Sequence, residues 1–181
     1  VGGRTLLARV AERLGARRAP LALSANGDPA RFAAYGLPVL PDSLPDSVRA
    51  HPGPLAGVLA GLDWAAGFGA EAIVTAAADT PFLPAVLAAR LAAAAGPAGL
   101  ALAASPDAEG VLRRHPTCGL WPVALRAALR AALVAGERKA GLWAEAQGAG
   151  TAVFDAGPPD PFFNVNTPDD VAEAERLAGA A

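Results

Sequence analysis

The hydrophobic and polar positions of this chain alternate between helical and strand periods over most of its length. Leu6, Val10 and Leu14 recur on one helical face, and a glycine follows, so the pattern predicts a helix over residues 4–14. The same criteria predict helices at 28–35, 55–66, 84–95, 122–135 and 138–147, and a last helix that begins after residue 167. They predict strands at 20–25, 37–40, 72–77, 99–104, 117–121 and 151–154, with an irregular or hairpin segment at 105–116.

Two of the predicted helices carry recognisable start signals. Asp28 is suited to the N-cap position, and Pro29 to the first helical position. Thr167 with Asp170 three residues later resembles a capping box in which Asp replaces Glu. The repeated alternation of strands and helices predicts a single α/β domain over residues 1–181, with a mostly parallel sheet between two layers of helices.

Composition narrows the class of protein. The chain is 53% hydrophobic but only 6% aromatic, a balance that alanine-rich helices around short strands would produce. A net charge of −2, without a long basic run, argues against a nucleic-acid partner. Cys118 is the single cysteine, which excludes a disulfide framework and fits a reducing compartment. With no apolar run of about 18 residues and no leader pattern, we expect a cytoplasmic protein with no membrane partner.

Polar side chains follow several of the predicted strands. The four segments are Ser24-Ala25-Asn26, Asp42-Ser43, Asp79-Thr80-Pro81 and Asn164-Val165-Asn166. Strand ends at one edge of a parallel sheet meet in space, so these segments are expected to share one cleft. The alternative is that each makes only a turn, since Asn, Asp and Ser favour turns.

Asp79 is the most informative of these positions because it follows a buried apolar strand as a lone carboxylate. Such a group is suited to holding a divalent cation against phosphate oxygens. The alternative is that Asp79 or Thr80 caps a helix without binding a ligand.

Two other stretches also suit an anion. The segment from His51 to Leu62 contains Pro, Gly and small residues, which predict close packing of a helix against the sheet, and its first N–H groups could face an anion. Close packing without a ligand is the alternative there. Arg138 and Lys139 could meet a phosphate or be solvated, and His115 reads as a loop histidine. The residues alone therefore favour a nucleotide or phosphate ligand bound with a metal.

Taken in order, these motifs resemble the molybdenum cofactor guanylyltransferases along essentially the whole chain. The segments that carry the resemblance are Pro41-Asp42-Ser43, the stretch from His51 to Gly57, Asp79-Thr80-Pro81, His115-Pro116-Thr117, Gly136-Glu137-Arg138 and Asn164-Val165-Asn166-Thr167-Pro168. The related cytidylyltransferases typically have Asp-Met-Pro and Asp-x-Asp-Thr-Pro at two of these places. The resemblance implies a three-layer, Rossmann-like fold of the nucleotide-diphosphate-sugar transferase type.

The resemblance also implies a reaction, in which GMP passes from GTP to the terminal phosphate of the molybdopterin cofactor and pyrophosphate leaves. Asp79 would be the catalytic residue that binds Mg²⁺. The residues implied to contact GTP are Asp42, Asp79, Ser24, Asn26 and Gly53. The residues implied to contact the pterin cofactor are Asn164, Asn166, Arg138 and Lys139. Proteins of cofactor delivery or molybdoenzyme maturation are implied as further partners.

The chain departs from the family pattern in two places. Ser24 stands where the family usually has an asparagine that contacts the nucleotide, and a hydroxyl cannot replace both groups of an amide. The family also has a first strand and a glycine-rich phosphate loop upstream of the position matching Val1, and this sequence starts just after them. If that loop is truly absent, we expect no transferase activity. The alternatives are a related nucleotidyltransferase that uses CTP or a sugar phosphate, and a non-catalytic module that binds the pterin cofactor.

Overall fold

Six strands and six α-helices are present in the computed structural model, which describes residues 1–15, 19–44 and 53–179. The strands are β1 (Leu23–Ser24), β2 (Val39–Leu40), β3 (Ala72–Thr75), β4 (Ala101–Pro106), β5 (Leu112–Pro122) and β6 (Gly150–Val153). The helices are α1 (Leu6–Arg13), α2 (Pro54–Ala66), α3 (Leu87–Ala93), α4 (Arg126–Val134), α5 (Ala140–Ala146) and α6 (Pro168–Gly179), with 3-10 helices at Pro29–Tyr35 and Val123–Leu125. None of the described helices is long and apolar enough to cross a membrane.

The strands form two sheets among the described residues. β1 and β2 pair in parallel, and a second sheet has the order β3-β5-β4-β6. β4 and β6 are parallel, whereas β5 runs antiparallel to both of its neighbours. Three of the four strands in the larger sheet therefore share one direction. The α/β prediction is confirmed, and the sheet is mixed because the chain returns along β4 through a hairpin.

The segment predicted to be irregular or a hairpin is a hairpin, which extends both flanking strands. The carboxylate of Asp107 accepts hydrogen bonds from the N–H groups of Glu109 and Val111 and closes the turn. Strand β5 continues past Pro116 because the pairing register shifts at that point, from Leu102 opposite Gly119 to Ala103 opposite His115. A proline cannot donate to the ladder, so it is accommodated where the register skips residues.

Alternation along β4 builds the two cores of a three-layer arrangement. Leu100 and Leu102 join a cluster with residues of α2, α4 and α5 on one face of the sheet. Ala101 and Ala103 join a second cluster, with residues of α1 and α3 on the opposite face. The predicted layering of helices on both faces of the sheet is therefore confirmed.

Both predicted helix start signals are present. The Asp28 side chain accepts a hydrogen bond from the N–H of Ala30 at 2.9 Å. At the start of α6, the Thr167 hydroxyl accepts from the N–H of Asp170 at 3.2 Å, and the Asp170 carboxylate accepts from the N–H of Thr167 at 2.8 Å. This reciprocal pair is the capping box that the sequence predicts.

Candidate nucleotide and metal site

The ends of β1 and β2 are joined by a reciprocal side-chain interaction. The Asp42 carboxylate accepts a hydrogen bond from Asn26 Nδ2 at 2.8 Å, and the Asp42 N–H donates to Asn26 Oδ1 at 3.0 Å. Parallel pairing brings the two segments together, since the N–H of Ala25 also bonds to the carbonyl of Leu40. Asp42 is 9% exposed, so its carboxylate is held in a fixed place at the rim of the small sheet.

Helix α2 approaches this rim more closely than a side chain would allow. A Cβ atom placed on Gly57 would lie 2.8 Å from Ser24 Oγ, and one placed on Gly61 would lie 2.8 Å from Ile73 Cδ1. The close helix packing predicted from the small residues is therefore present. Gly53 caps α2 with a φ of 65°, beside the backbone carbonyl of Arg138. His51 and Pro52, from the same predicted motif, lie outside the described residues.

Asp79 lies in the turn that follows β3, next to the segment that precedes α6. The N–H of Val165 donates to the backbone carbonyl of Asp79 at 3.0 Å. The turn is fastened from within by the Thr80 hydroxyl, which donates to the carbonyl of Ala77 at 2.7 Å. Two of the four strand-end segments, distant in sequence, are therefore adjacent in the structure.

One carboxylate oxygen of Asp79 is buried without a hydrogen-bond partner among the described residues. This atom is Oδ1. An unsatisfied buried polar atom costs about 1–3 kcal/mol, and more when it is charged, which makes this oxygen a candidate ligand atom. The helix-capping alternative is not supported, because Oδ1 accepts no N–H and the next helix begins only at Leu87.

The surroundings of Asp79 suit a hard cation that takes few ligands from the protein and most from phosphate oxygens and water. No group of three or more His, Cys, Asp or Glu in the described ranges could hold a metal ion. Mg²⁺ sites of nucleotide enzymes commonly use one or two carboxylates, with phosphate oxygens and water completing the coordination. The charge of Asp79 also reaches Cys118: burial chiefly raises the pKa of this thiol, and the Asp79 carboxylate adds a smaller contribution in the same direction.

Asn164 and Asn166 flank the residue that bonds to Asp79, and both are exposed. The Asp170 carboxylate accepts a hydrogen bond from the Asn166 N–H at 2.9 Å, which orients this segment at the start of α6. Backbone N–H groups of Asn166 and Thr167 lower the pKa of the Asp170 carboxyl. A groove of about 470 Å³ adjoins them, lined by Leu6, Val165, Asn166, Thr167, Pro168 and Val171.

Arg138 and Lys139 lie in the connection between α4 and α5. The Arg138 guanidinium donates to the backbone carbonyls of Leu133 and Glu137, at 2.8 and 2.7 Å, and so closes the end of α4. The Glu137 carboxylate accepts the N–H groups of both following residues, which lowers the pKa of this carboxyl. The Lys139 residue is exposed, whereas the Arg138 side chain has a defined structural role.

One set of residues near the site was not found from the sequence. The Ser43 hydroxyl donates to Asp63 Oδ2 at 2.6 Å, and Arg130 donates both to that oxygen and to the Ser43 carbonyl. The available signal was Asp63 itself, because it is the only charged residue in the apolar sequence of α2. A charge in such a helix usually has a partner.

Comparison with known proteins identifies the family of this chain. The sequence profile of the MobA-like NTP transferase domain matches residues 1–150. A molybdenum cofactor guanylyltransferase from Bradyrhizobium sp. (strain ORS 278) is 52% identical over 183 residues, which cover 98% of this chain and 82% of the relative.

Solved structures share the fold at low sequence identity. Molybdopterin-guanine dinucleotide biosynthesis protein A from Archaeoglobus fulgidus gives a TM-score of 0.66 at 21% identity, covering 99% of this chain and 88% of that one. The 2-C-methyl-D-erythritol 4-phosphate cytidylyltransferase from Thermus thermophilus gives 0.66 at 22% identity, covering 99% and 91%. With the profile match and the relative at 52% identity, the chain belongs to the molybdenum cofactor guanylyltransferase family and is a nucleotidyltransferase.

Proposed function

We propose that this protein transfers GMP from GTP to the terminal phosphate of the molybdopterin cofactor. An oxygen of the pterin phosphate attacks the α-phosphorus of GTP, the bond to the bridging oxygen breaks, and pyrophosphate leaves. The observation that carries the proposal is the buried Asp79 oxygen, which has no hydrogen-bond partner among the described residues and lies beside the Asn164–Asn166 segment. Family membership at 52% identity supports the choice of substrates.

We propose that Asp79 is the ligand of a Mg²⁺ ion. Its free carboxylate oxygen is the hard, anionic donor that Mg²⁺ prefers, and the absence of a larger acidic cluster in the described ranges leaves positions for phosphate oxygens. When bound, the ion would neutralise charge on the phosphates during transfer. The protein would contribute position and a fixed charge, with no covalent enzyme intermediate.

GTP binding is assigned to the rim that carries Asp42. Asn26 already occupies Asp42 Oδ2 and the Asp42 N–H, so Asp42 is oriented before a nucleotide arrives. Ser24, at the end of β1, packs against Gly57 of α2, and Gly53 caps the start of that helix. Preorganisation of this kind improves affinity, because less conformational entropy is lost on binding.

The pterin cofactor is assigned to Asn164 and Asn166, with Lys139 and Arg138 near its anionic end. The two exposed amides offer both donors and acceptors to a phosphate and to a pterin edge. Lys139 is exposed and can reach an anion. Arg138 would act through its positive charge, since its guanidinium also closes α4.

We further propose that a glycine-rich phosphate loop and its preceding strand, from upstream of Val1, complete the site. Within the described residues β1 pairs only with β2, and β3 pairs only with β5. Helix α2 packs against both, through Gly57 on Ser24 and Gly61 on Ile73. A strand between β1 and β3 would join the two sheets beneath this helix, and the protein without it is expected to be inactive.

The test is nucleotide-dependent turnover of molybdopterin by the protein with its upstream sequence included. Pyrophosphate release with GTP, and at least about tenfold slower release with CTP, is the expected result. Faster turnover with CTP would favour the related nucleotidyltransferases. Pterin cofactor binding without turnover of either nucleotide would favour a non-catalytic binding module.

The proposed setting is the cytoplasm, where GTP and the molybdopterin cofactor are the small-molecule partners. Because the product would be passed on to molybdoenzymes, proteins of cofactor delivery or maturation are proposed as further partners. Fractionation with the cell membrane would count against the cytoplasmic location. Failure to retain the product in a complex with any such protein would count against these partners.

A further inference from the structure

Ser43, the residue after Asp42, is held by an ion pair that joins two helices. Its hydroxyl donates to Asp63 Oδ2 on α2 at 2.6 Å, and its carbonyl accepts from Arg130 Nη1 on α4 at 3.2 Å. Arg130 Nη2 binds the same Asp63 oxygen at 2.5 Å. Side chain and main chain of Ser43 are therefore both engaged by one Asp63–Arg130 pair, which we call the Ser43 clamp.

The Ser43 clamp completes a set of anchors on three consecutive residues. Asn26 binds Asp42 on one side, and Leu44 on the other side is 2% exposed in the core with α2 and α4. Between these anchors, the clamp ties Ser43 to α2 and α4. Arg126 lies 3.8 Å from the other Asp63 oxygen and makes no hydrogen bond to Ser43 in the described structure, so it adds charge without holding the loop.

We propose that Asp63 and Arg130 are positioning residues for the nucleotide. By clamping Ser43 they fix the backbone at Asp42, and so the direction of the carboxylate that receives GTP. This inference rests on the proposed function for its substrate. Since the clamp acts before chemistry, its loss is expected to weaken GTP binding and to leave the rate at saturation unchanged.

Kinetics of matched variants test the clamp. In the protein with its upstream sequence included, Asp63→Ala and Arg130→Ala are each expected to raise the KM for GTP about threefold to tenfold, as for the net contribution of one ordinary hydrogen bond, with kcat unchanged. Arg126→Ala removes a neighbouring charge and should leave both constants unchanged. Ser43→Thr keeps the hydroxyl and should retain the wild-type KM, whereas Ser43→Ala should raise it.

Three outcomes of these measurements, made together with thermal unfolding, overturn the proposal. An unchanged KM in Asp63→Ala would mean that the burial of Leu44 alone positions Asp42. A lower thermal midpoint with an unchanged KM would mean a structural role only. Equal rises in KM for Asp63→Ala and Arg126→Ala would mean that surface charge, not the contact with Ser43, matters.

A second measurement is independent of turnover. Hydrogen exchange of the Asp42 amide, followed by NMR, reports the hydrogen bond that this N–H donates to Asn26. Exchange is expected to be about threefold to tenfold faster in Asp63→Ala than in Arg126→Ala. Equal exchange in the two variants overturns the clamp. Faster exchange in Asp63→Ala, together with a wild-type protein that does not use GTP, would support the clamp and refute the proposed function instead.

Discussion

Asp42 follows β2 and Asp79 follows β3, and the surroundings of their carboxylates differ. Asp42 is buried with its carboxylate paired to an asparagine amide that also receives its N–H. Asp79 is anchored only through its backbone carbonyl, and its Oδ1 atom is buried without a partner in the described structure. The Asp42 carboxylate therefore has a protein partner, whereas Asp79 Oδ1 has none among the described residues.

This difference suits the two carboxylates to two roles, recognition of a ligand and binding of a cation. A carboxylate already held by protein donors keeps its direction, which suits recognition of a ligand of fixed shape. A buried carboxylate oxygen without a donor is costly in the free protein, and a cation that binds it recovers that free energy. In the proposed function, this comparison supports nucleotide recognition at the Asp42 rim and charge neutralisation at Asp79.

The largest expected effect is that of Asp79→Asn. The change removes the anionic ligand while preserving the shape of the side chain, so Mg²⁺-dependent turnover should fall by about 10³-fold, equivalent to several kcal/mol of lost charge stabilisation. Pyrophosphate release measures the rate, and thermal unfolding without metal checks the fold. Because the variant no longer buries an unpaired charge, its unfolding midpoint should be at or above that of the wild type.

Turnover near the wild-type rate in Asp79→Asn would show that this oxygen serves another purpose. A sharp fall in the unfolding midpoint would instead indicate a structural partner for Asp79.

The second effect concerns Asn26. Asn26→Ala removes both hydrogen bonds to Asp42, so the free energy of unfolding should fall by about 1–2 kcal/mol and the KM for GTP should rise about tenfold. Chemical denaturation and steady-state kinetics provide the two values. Asn164→Ala is the matched control: this asparagine is exposed, and its replacement should change the unfolding free energy by less than about 0.5 kcal/mol.

Equal losses of unfolding free energy in the two asparagine variants would contradict the distinction between the Asp42 rim and the Asn164–Asn166 segment. A KM for GTP that rises in Asn164→Ala alone would place the nucleotide on the other side of the site.

The third effect concerns the close approach of α2. Gly57→Ala brings a Cβ to 2.8 Å from Ser24 Oγ, and overpacking of about 1–3 kcal/mol should outweigh the gain in helix propensity of about 1 kcal/mol. Gly141→Ala, at a helical glycine with open space around it, should stabilise the protein by about 0.5–1 kcal/mol. Denaturant unfolding of both variants checks the opposite signs, and stabilisation by Gly57→Ala would contradict this account of the packing.

The smallest effect is a pH dependence on the Asp79 side. His115 stacks on Phe162 with ring centroids 4.1 Å apart, two residues before Asn164, and its Nε2 lies 2.8 Å from Ser105 Oγ. Burial lowers the pKa of His115 below 6.5, although the charge of Asp160 opposes the shift. Since the native state binds its proton less readily, this contribution to stability is present above pH 6.5 and lost as the pH falls through the lowered pKa.

The free energy of unfolding should therefore be smaller at about pH 5.5 than at about pH 7.5. In His115→Gln the difference between the two pH values should be smaller than in the wild type. An identical decrease in the variant would show that other groups cause the pH dependence.

Much of the fold follows from local pattern. The capping box of Thr167 and Asp170 and the N-cap of Asp28 depend on residues within a few positions of each other, and both are present as predicted. The mixed direction of the larger sheet does not follow from local pattern. Pro116 interrupts the strand signal in β5, and the register shift that accommodates it depends on pairing with β4.

In the candidate site, too, some features follow from the local sequence and others only from the tertiary structure. The sequence predicted Asp42, Asp79 and Asn164–Asn166 as site residues from their places after strands, and the structure brings Asn26 next to Asp42 and Val165 next to Asp79. The pairing of Asn26 with Asp42, and the lack of a partner for Asp79 Oδ1 in the described part of the chain, could not be predicted, because both depend on side-chain placement. Asp63 offered a signal as the lone charge of α2, but its partners come from two other segments.

The most direct test of the account is the affinity of Mn²⁺, a substitute for Mg²⁺ at carboxylate sites, measured by EPR at saturating GTP in the protein with its upstream sequence included. The account predicts that Asp79→Asn weakens Mn²⁺ binding at least about tenfold, whereas Asn26→Ala, once GTP is saturating, binds Mn²⁺ as the wild type does. Wild-type Mn²⁺ affinity in Asp79→Asn would contradict the assignment of the free carboxylate oxygen to a cation.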